Sequence, residues 1–313
     1  MTTEASATKV AFVGTGVMGS SMAGHLLDAG YPVTVYNRTK AKAQPLLDRG
    51  AAWAGTAGDA AAAADVVITI VGYPADVEEV YLGAGGILER AREGALLIDM
   101  TTSAPSLAQR IARKAAVRGL RPLDAPVSGG DIGARNATLT IMVGGDAGAF
   151  ADAEPVLRVL GRSVVRQGGP GAGQHAKMAN QIAIAGSMFA TVEMLAYARA
   201  VGLDPATVLE SVTAGSAASW SLENLAPRIL HDDFAPGFYV KHFVKDLRIA
   251  LVAAEAVGAT LPGLDLAKRM YEHLEASGGG ELGTQALWLL YADAQAREAE
   301  GVSATATAGD GLC

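Results

Sequence analysis

The sequence predicts an α/β chain in two parts: a doubly wound parallel-sheet domain, then an all-α domain, joined by a long interdomain helix. Three observations carry this. From Lys9 to Arg166, short β-branched runs alternate with Ala-rich helical segments, the rhythm of a parallel sheet covered by helices. Continuous apolar runs such as Val66-Val67-Ile68-Thr69-Ile70-Val71 suit strands buried on both faces. After Gly168-Gly169-Pro170-Gly171 no strand pattern recurs and helical periodicity takes over. The predicted domains are therefore residues 1–168 and 169–313. A chain of 313 residues also exceeds the roughly 250 to 300 at which a single core stops growing.

The strands predicted are Lys9 to Gly14, Val33 to Asn37, Val66 to Val71, Leu96 to Asp99, Pro122 to Asp124, Thr138 to Val143 and Ser163 to Arg166. The long helix runs from about Gly173 to Val201, where Gly202 stops it and Asp204-Pro205 opens the next. Further helices are expected over Pro205 to Ala214, Ser219 to Leu230, Val240 to Val257 and Leu264 to Glu275. The small, polar tail from Ala296 to Cys313 is expected to fray.

A net charge of -7 without any Lys/Arg run argues against a nucleic-acid partner, because binding phosphates needs a basic surface. The single cysteine, Cys313, cannot form an intrachain disulfide, which fits a cytoplasmic setting. Met1-Thr2-Thr3-Glu4 lacks the basic and apolar regions of a signal peptide. The apolar stretch from Ile182 to Val201 carries Glu193 and Arg199 and reads as a buried helix rather than a membrane span.

Gly14-Thr15-Gly16-Val17-Met18-Gly19 follows a predicted strand and opens a predicted helix, the context in which GxGxxG binds a dinucleotide. The glycines serve a tight turn, close approach of backbone to pyrophosphate, and close helix-to-strand packing. The helix N-terminus offers unpaired N–H groups to the diphosphate. This is a Rossmann-type arrangement. The second strand ends in Asn37-Arg38-Thr39-Lys40, where an NAD enzyme usually carries a carboxylate for the ribose 2′-OH. Arg38, helped by Asn37 and Thr39, suits a 2′-phosphate instead, so NADP(H) is favoured over NAD(H).

Four segments in this order resemble the β-hydroxyacid dehydrogenase family, which includes 3-hydroxyisobutyrate dehydrogenase and tartronate semialdehyde reductase. They are the nucleotide turn, Asp124-Ala125-Pro126-Val127-Ser128-Gly129-Gly130, Gly171-Ala172-Gly173-Gln174-His175-Ala176-Lys177-Met178-Ala179-Asn180-Gln181, and Lys245-Asp246-Leu247. The resemblance runs from Lys9 to about Tyr291. It implies that Ser128, Gly129 and Gly130 hold a substrate carboxylate, a role an unhindered loop of N–H groups can fill. It makes Lys177 the general acid/base, with Asn180 and Gln181 near it at helical spacing. It also places Thr102 beside the nicotinamide ribose, Lys245 toward cofactor and substrate, and Trp220 at the substrate pocket.

The reaction so implied is hydride exchange between the nicotinamide and a short 3-hydroxy acid or its semialdehyde, with Lys177 moving the proton and no metal required. The family's habit also implies a homodimer or homotetramer. Two other readings stay open: imine reduction on the same architecture, against which the lysine at 177 counts, and a non-catalytic nucleotide-binding scaffold.

Overall fold

In the computed structural model, residues 7–292 are described; the tail expected to fray, from Ala296 to Cys313, lies outside them. The first part runs β1 (Val10–Val13), α1 (Val17–Asp28), β2 (Val33–Tyr36), α2 (Gln44–Leu47), β3 (Ala52–Trp53), α3 (Ala57–Ala61), β4 (Val66–Thr69), α4 (Pro74–Leu82) and α5 (Ile87–Arg90). It continues with β5 (Leu96–Asp99), α6 (Pro105–Ala116), β6 (Arg121–Asp124), β7 (Val127–Ser128), α7 (Gly130–Arg135), β8 (Leu139–Gly145), α8 (Ala147–Leu160) and β9 (Gly161–Gly168).

The sheet order begins β3-β2-β1-β4-β5-β6, with every pair parallel. The order reverses beside β1, so a crevice opens at the carboxyl ends of β1 and β4, where open α/β sheets bind ligands. Successive residues of β1 serve opposite faces. Val10 and Phe12 pack with Met22 and Leu26 of α1, while Ala11 and Val13 pack with Val77 and Tyr81 of α4. That double burial is why these strands read as unbroken apolar runs.

Beyond β6 the sheet departs from the parallel expectation. β8 runs antiparallel to β6 and β7 and parallel to β9. Val127–Ser128 continues the line of β6 along β8 in the same antiparallel register before α7 begins, and a two-residue strand leaves no period to read.

The second part is helical: α9 (Ala172–Ala200), α10 (Pro205–Thr213), α11 (Trp220–Asn224), α12 (Ala226–Leu230), α13 (Val240–Glu255) and α14 (Pro262–Ala276). The single helix expected over Ser219 to Leu230 is broken at Leu225, because Pro227 in the first turn of α12 has no N–H to continue the ladder. By length and composition α9 could cross a membrane. Its buried Gln174, Gln181 and Thr191 instead hydrogen-bond to protein, as in the core helix of a folded domain.

The chain forms two compact units that divide between Asn180 and Gln181, inside α9 and later than the change of sequence pattern at Gly168. The first turn of α9 lies directly on the sheet. A Cβ on Gly173 would stand 2.4 Å from the Asp124 carbonyl oxygen and 2.5 Å from that of Met142. Only glycine permits that approach.

Candidate active site

The nucleotide turn is shaped by two glycines and opened by a third. Gly14 has φ +99°, and a Cβ there would stand 2.1 Å from the Ile70 carbonyl oxygen. At Gly19 a Cβ would stand 1.9 Å from the Gly14 carbonyl oxygen, so this glycine lets α1 start against the turn. A Cβ on Gly16 would meet nothing within 4 Å; protein packing does not call for glycine there, but a diphosphate laid against the backbone would. Gly16 also caps α1 without any side-chain hydrogen bond, leaving the helix dipole facing the same space. Val17 is exposed, Met18 packs on the core, and the buried Thr15 Oγ1 has no partner within the protein. These residues fit a dinucleotide's pyrophosphate.

At the end of β2, Asn37 is committed to the loop itself. Its Oδ1 accepts from the Thr15 N–H at 3.0 Å and its Nδ2 donates to the Thr39 carbonyl at 2.9 Å. It thus ties the turn to β2. Arg38 projects outward with its side chain 85% exposed, 3.4 Å from Asp76, and Thr39 is exposed beside it.

At the adjacent carboxyl ends of β5 and β6, two buried aspartates organise the backbone. Asp99 Oδ1 accepts from Thr69 Oγ1 at 2.9 Å and from the Thr101 N–H at 3.1 Å. The Thr101 hydroxyl accepts from the Val71 N–H at 3.0 Å. Asp124 accepts from the N–H groups of Gly171 and Gln174, both at 2.8 Å, and so caps the start of α9 in the way its dipole favours. The Gln174 side chain closes the network, donating to the Thr101 carbonyl at 2.7 Å and accepting from the Ser103 N–H at 2.9 Å. Thr102, half-buried, lies between those two anchor points.

Lys177 follows Gln174 by three residues, on the same side of α9. At 6% exposure it does not reach out to solvent, the ordinary fate of a lysine on an apolar helix. Asn180, half-buried, ends the first unit. In the same unit the chain leaves β6 at Asp124 and reaches Ser128 in β7, followed by Gly129 at φ +126° and Gly130 at φ +60°. Ser128 is half-buried and Gly129 exposed, so hydroxyl and backbone are open to a ligand.

In the second unit, Gln181 is buried and donates to Asp246 Oδ2 at 2.6 Å. Lys245 Nζ lies 3.1 Å from the other oxygen of the same carboxylate, with its side chain 12% exposed. Asp246 therefore links Gln181 to Lys245. Trp220 opens α11 at 64% exposure, which excludes a core role for its ring.

The chain matches two family models in succession: the NAD-binding domain of 6-phosphogluconate dehydrogenase over residues 9–169, and the NAD-binding domain of NADP-dependent 3-hydroxyisobutyrate dehydrogenase over residues 171–291. A probable mitochondrial 3-hydroxyisobutyrate dehydrogenase-like protein of Arabidopsis thaliana is 51% identical, over 90% of this chain and 84% of that one. A 2-hydroxy-3-oxopropionate reductase of Escherichia coli is 37% identical, over 89% and 95%. The solved 3-hydroxyisobutyrate dehydrogenase of Mycobacterium tuberculosis, studied with L-serine, superposes with a TM-score of 0.84 at 33% identity, covering 90% and 98%. The chain belongs to the β-hydroxyacid dehydrogenase family. It is accordingly an NAD(P)-binding oxidoreductase of the hydroxy-acid type.

Within this β-hydroxyacid dehydrogenase, sequence reasoning assigned no role to Asp99, Thr101, Gln174 or Asp246. Asp124 and Gln174 stood inside quoted motifs, but their pairing depends on which strand end faces which helix start. Burial lifts the Asp99 carboxyl to about 6, against hydrogen bonds from Thr101 and Thr69 that hold it down. Asp124 is also raised by burial, and the N–H groups of Gly171 and Gln174 oppose the rise.

The Asp99 shift has a stability consequence. Its folded-state pKa lies above the ordinary 3.8, so the folded chain holds this proton more tightly. The contribution is therefore favourable below about 4 and is lost as pH rises through about 6, a span worth roughly 3 kcal/mol. Asp99→Asn keeps an acceptor for Thr69 and removes the charge. The variant is expected to melt higher than wild type at pH 8, with the gap closing by pH 4.5. A gap independent of pH would contradict the account.

Proposed function

We propose that the chain interconverts a short 3-hydroxy acid, 3-hydroxyisobutyrate or a glycerate-like acid, with its semialdehyde, using NADP(H) in preference to NAD(H) and Lys177 as general acid/base. The observation that carries the reading is a lysine at 6% exposure on the helix start that Asp124 clamps, in the same unit as the nucleotide turn. The names of the relatives support the substrate class, and the open loop at Ser128-Gly129-Gly130 supports a carboxylate on it.

When bound, the nicotinamide supplies or takes the hydride. The Ser128 hydroxyl and the N–H groups of Gly129 and Gly130 hold the substrate carboxylate and thereby orient the reacting carbon. Lys177, as ammonium, gives its proton to the carbonyl oxygen during reduction; as amine, it takes the hydroxyl proton during oxidation. Oxidation therefore speeds up with rising pH. Asn180, three residues on, offers an amide to the same oxygen without changing the charge. Arg38, open to solvent at the end of β2, supports the 2′-phosphate preference.

The test is a spectrophotometric panel of short semialdehydes, 3-hydroxy acids and cyclic imines, each with NADPH and NADH. Turnover of the semialdehydes, best with NADPH, is expected. Turnover of imines alone would establish imine reduction instead, and cofactor binding without turnover would establish a scaffold.

A further inference from the structure

The ion pair at the edge of the nucleotide crevice carries one more inference. Asp76 sits in the first turn of α4, where its Oδ2 accepts from the Tyr73 N–H at 2.9 Å. That bond fixes the carboxylate in place. Its other oxygen lies 3.4 Å from Arg38 Nη1, with side-chain exposures of 24% for Asp76 and 85% for Arg38. A guanidinium meant for a phosphate thus already has an anionic partner, and the pair joins the loop after β2 to the first turn of α4.

We propose that Asp76 sets the chain's discrimination between NADPH and NADH, competing with the 2′-phosphate for Arg38 and repelling it. This rests on the proposed NADP(H) preference. A 2′-phosphate carries close to two negative charges, so a fixed carboxylate within about 4 Å of its binding guanidinium opposes it even through partly screened surroundings. A cofactor with a bare 2′-OH meets no such repulsion. Asp76 therefore makes the preference weaker than Arg38 alone would make it.

Asp76→Asn removes the charge and keeps an oxygen for the Tyr73 N–H, so the start of α4 is preserved. Dissociation constants for NADPH and NADH, measured by calorimetry without substrate, read the effect directly. For D76N the NADPH constant is expected to fall by about three- to tenfold and the NADH constant to change by less than about twofold, with an unchanged melting temperature. Arg38→Ala is the companion variant, expected to weaken NADPH by about tenfold or more and to spare NADH. If R38A weakens NADPH selectively while D76N leaves the ratio of the two constants unchanged, the role of Asp76 is overturned and the NADP(H) reading stands. If R38A leaves the ratio unchanged, both fall.

Discussion

Replacing Lys177 by alanine is expected to lower kcat for semialdehyde reduction at least about a hundredfold while leaving the NADPH dissociation constant within about twofold of wild type. The separation follows from placement. The nucleotide turn is built by Gly14, Gly16 and Gly19 with Asn37, whereas the lysine stands on α9. The start of α9 is held by Asp124 and Gln174 through backbone groups, so losing the side chain leaves the helix anchored. A melting curve of the variant, measured beside the rates, separates lost chemistry from lost fold. Stopped-flow single turnovers beside steady-state rates would locate the loss in the chemical step. Near-normal turnover by this variant would remove Lys177 from the mechanism.

A pair of glycine variants should separate the two tasks of the nucleotide turn. Gly19→Ala brings a methyl to 1.9 Å from the Gly14 carbonyl oxygen and 3.0 Å from Ile70 Cγ2. Either α1 lifts from β1 or the turn opens, and a cost of about 3 kcal/mol or more is expected. Gly16→Ala has no such clash, and its backbone, at φ -73° and ψ -162°, is one alanine adopts readily. Its melting temperature should match wild type or slightly exceed it through lower unfolded-chain entropy. Its affinity for NADPH should nevertheless fall by about tenfold or more, since the methyl occupies the space the diphosphate needs. Unaltered affinity in Gly16→Ala would argue that the cofactor does not lie against this glycine.

The fold was legible where one local pattern decides an element. Leu96–Asp99 was placed to the residue, and α9 within a residue at each end, because an apolar run and a terminal glycine are local signals. β3 and β7 were not, since two residues carry no period. The reversed direction of β8 was hidden too, as strand direction depends on partners rather than on the strand's own residues.

The site divides in the same way. The glycine turn and Lys177 stand out by motif, but the bond from Asn37 to Thr15 and the grip of Asp124 on Gly171 join residues far apart in the chain. Trp220 shows the converse: the resemblance places it at the substrate pocket, and only the fold reveals how exposed it is.

One stretch of chain has a consequence for which molecules fit. Asp124 grips the start of the helix bearing Lys177, and four residues later the same chain reaches Ser128. In the proposed site, proton carrier and carboxylate anchor are thus two marks on one ruler, both fixed to the same edge of the sheet and within one unit. Such a ruler measures the length of the acid and leaves its branches unread. Homologous substrates lengthened by a methylene between carboxylate and carbonyl should fail as a class, whereas methyl or hydroxymethyl substituents along a chain of the right length should be sorted by other residues, and more gently.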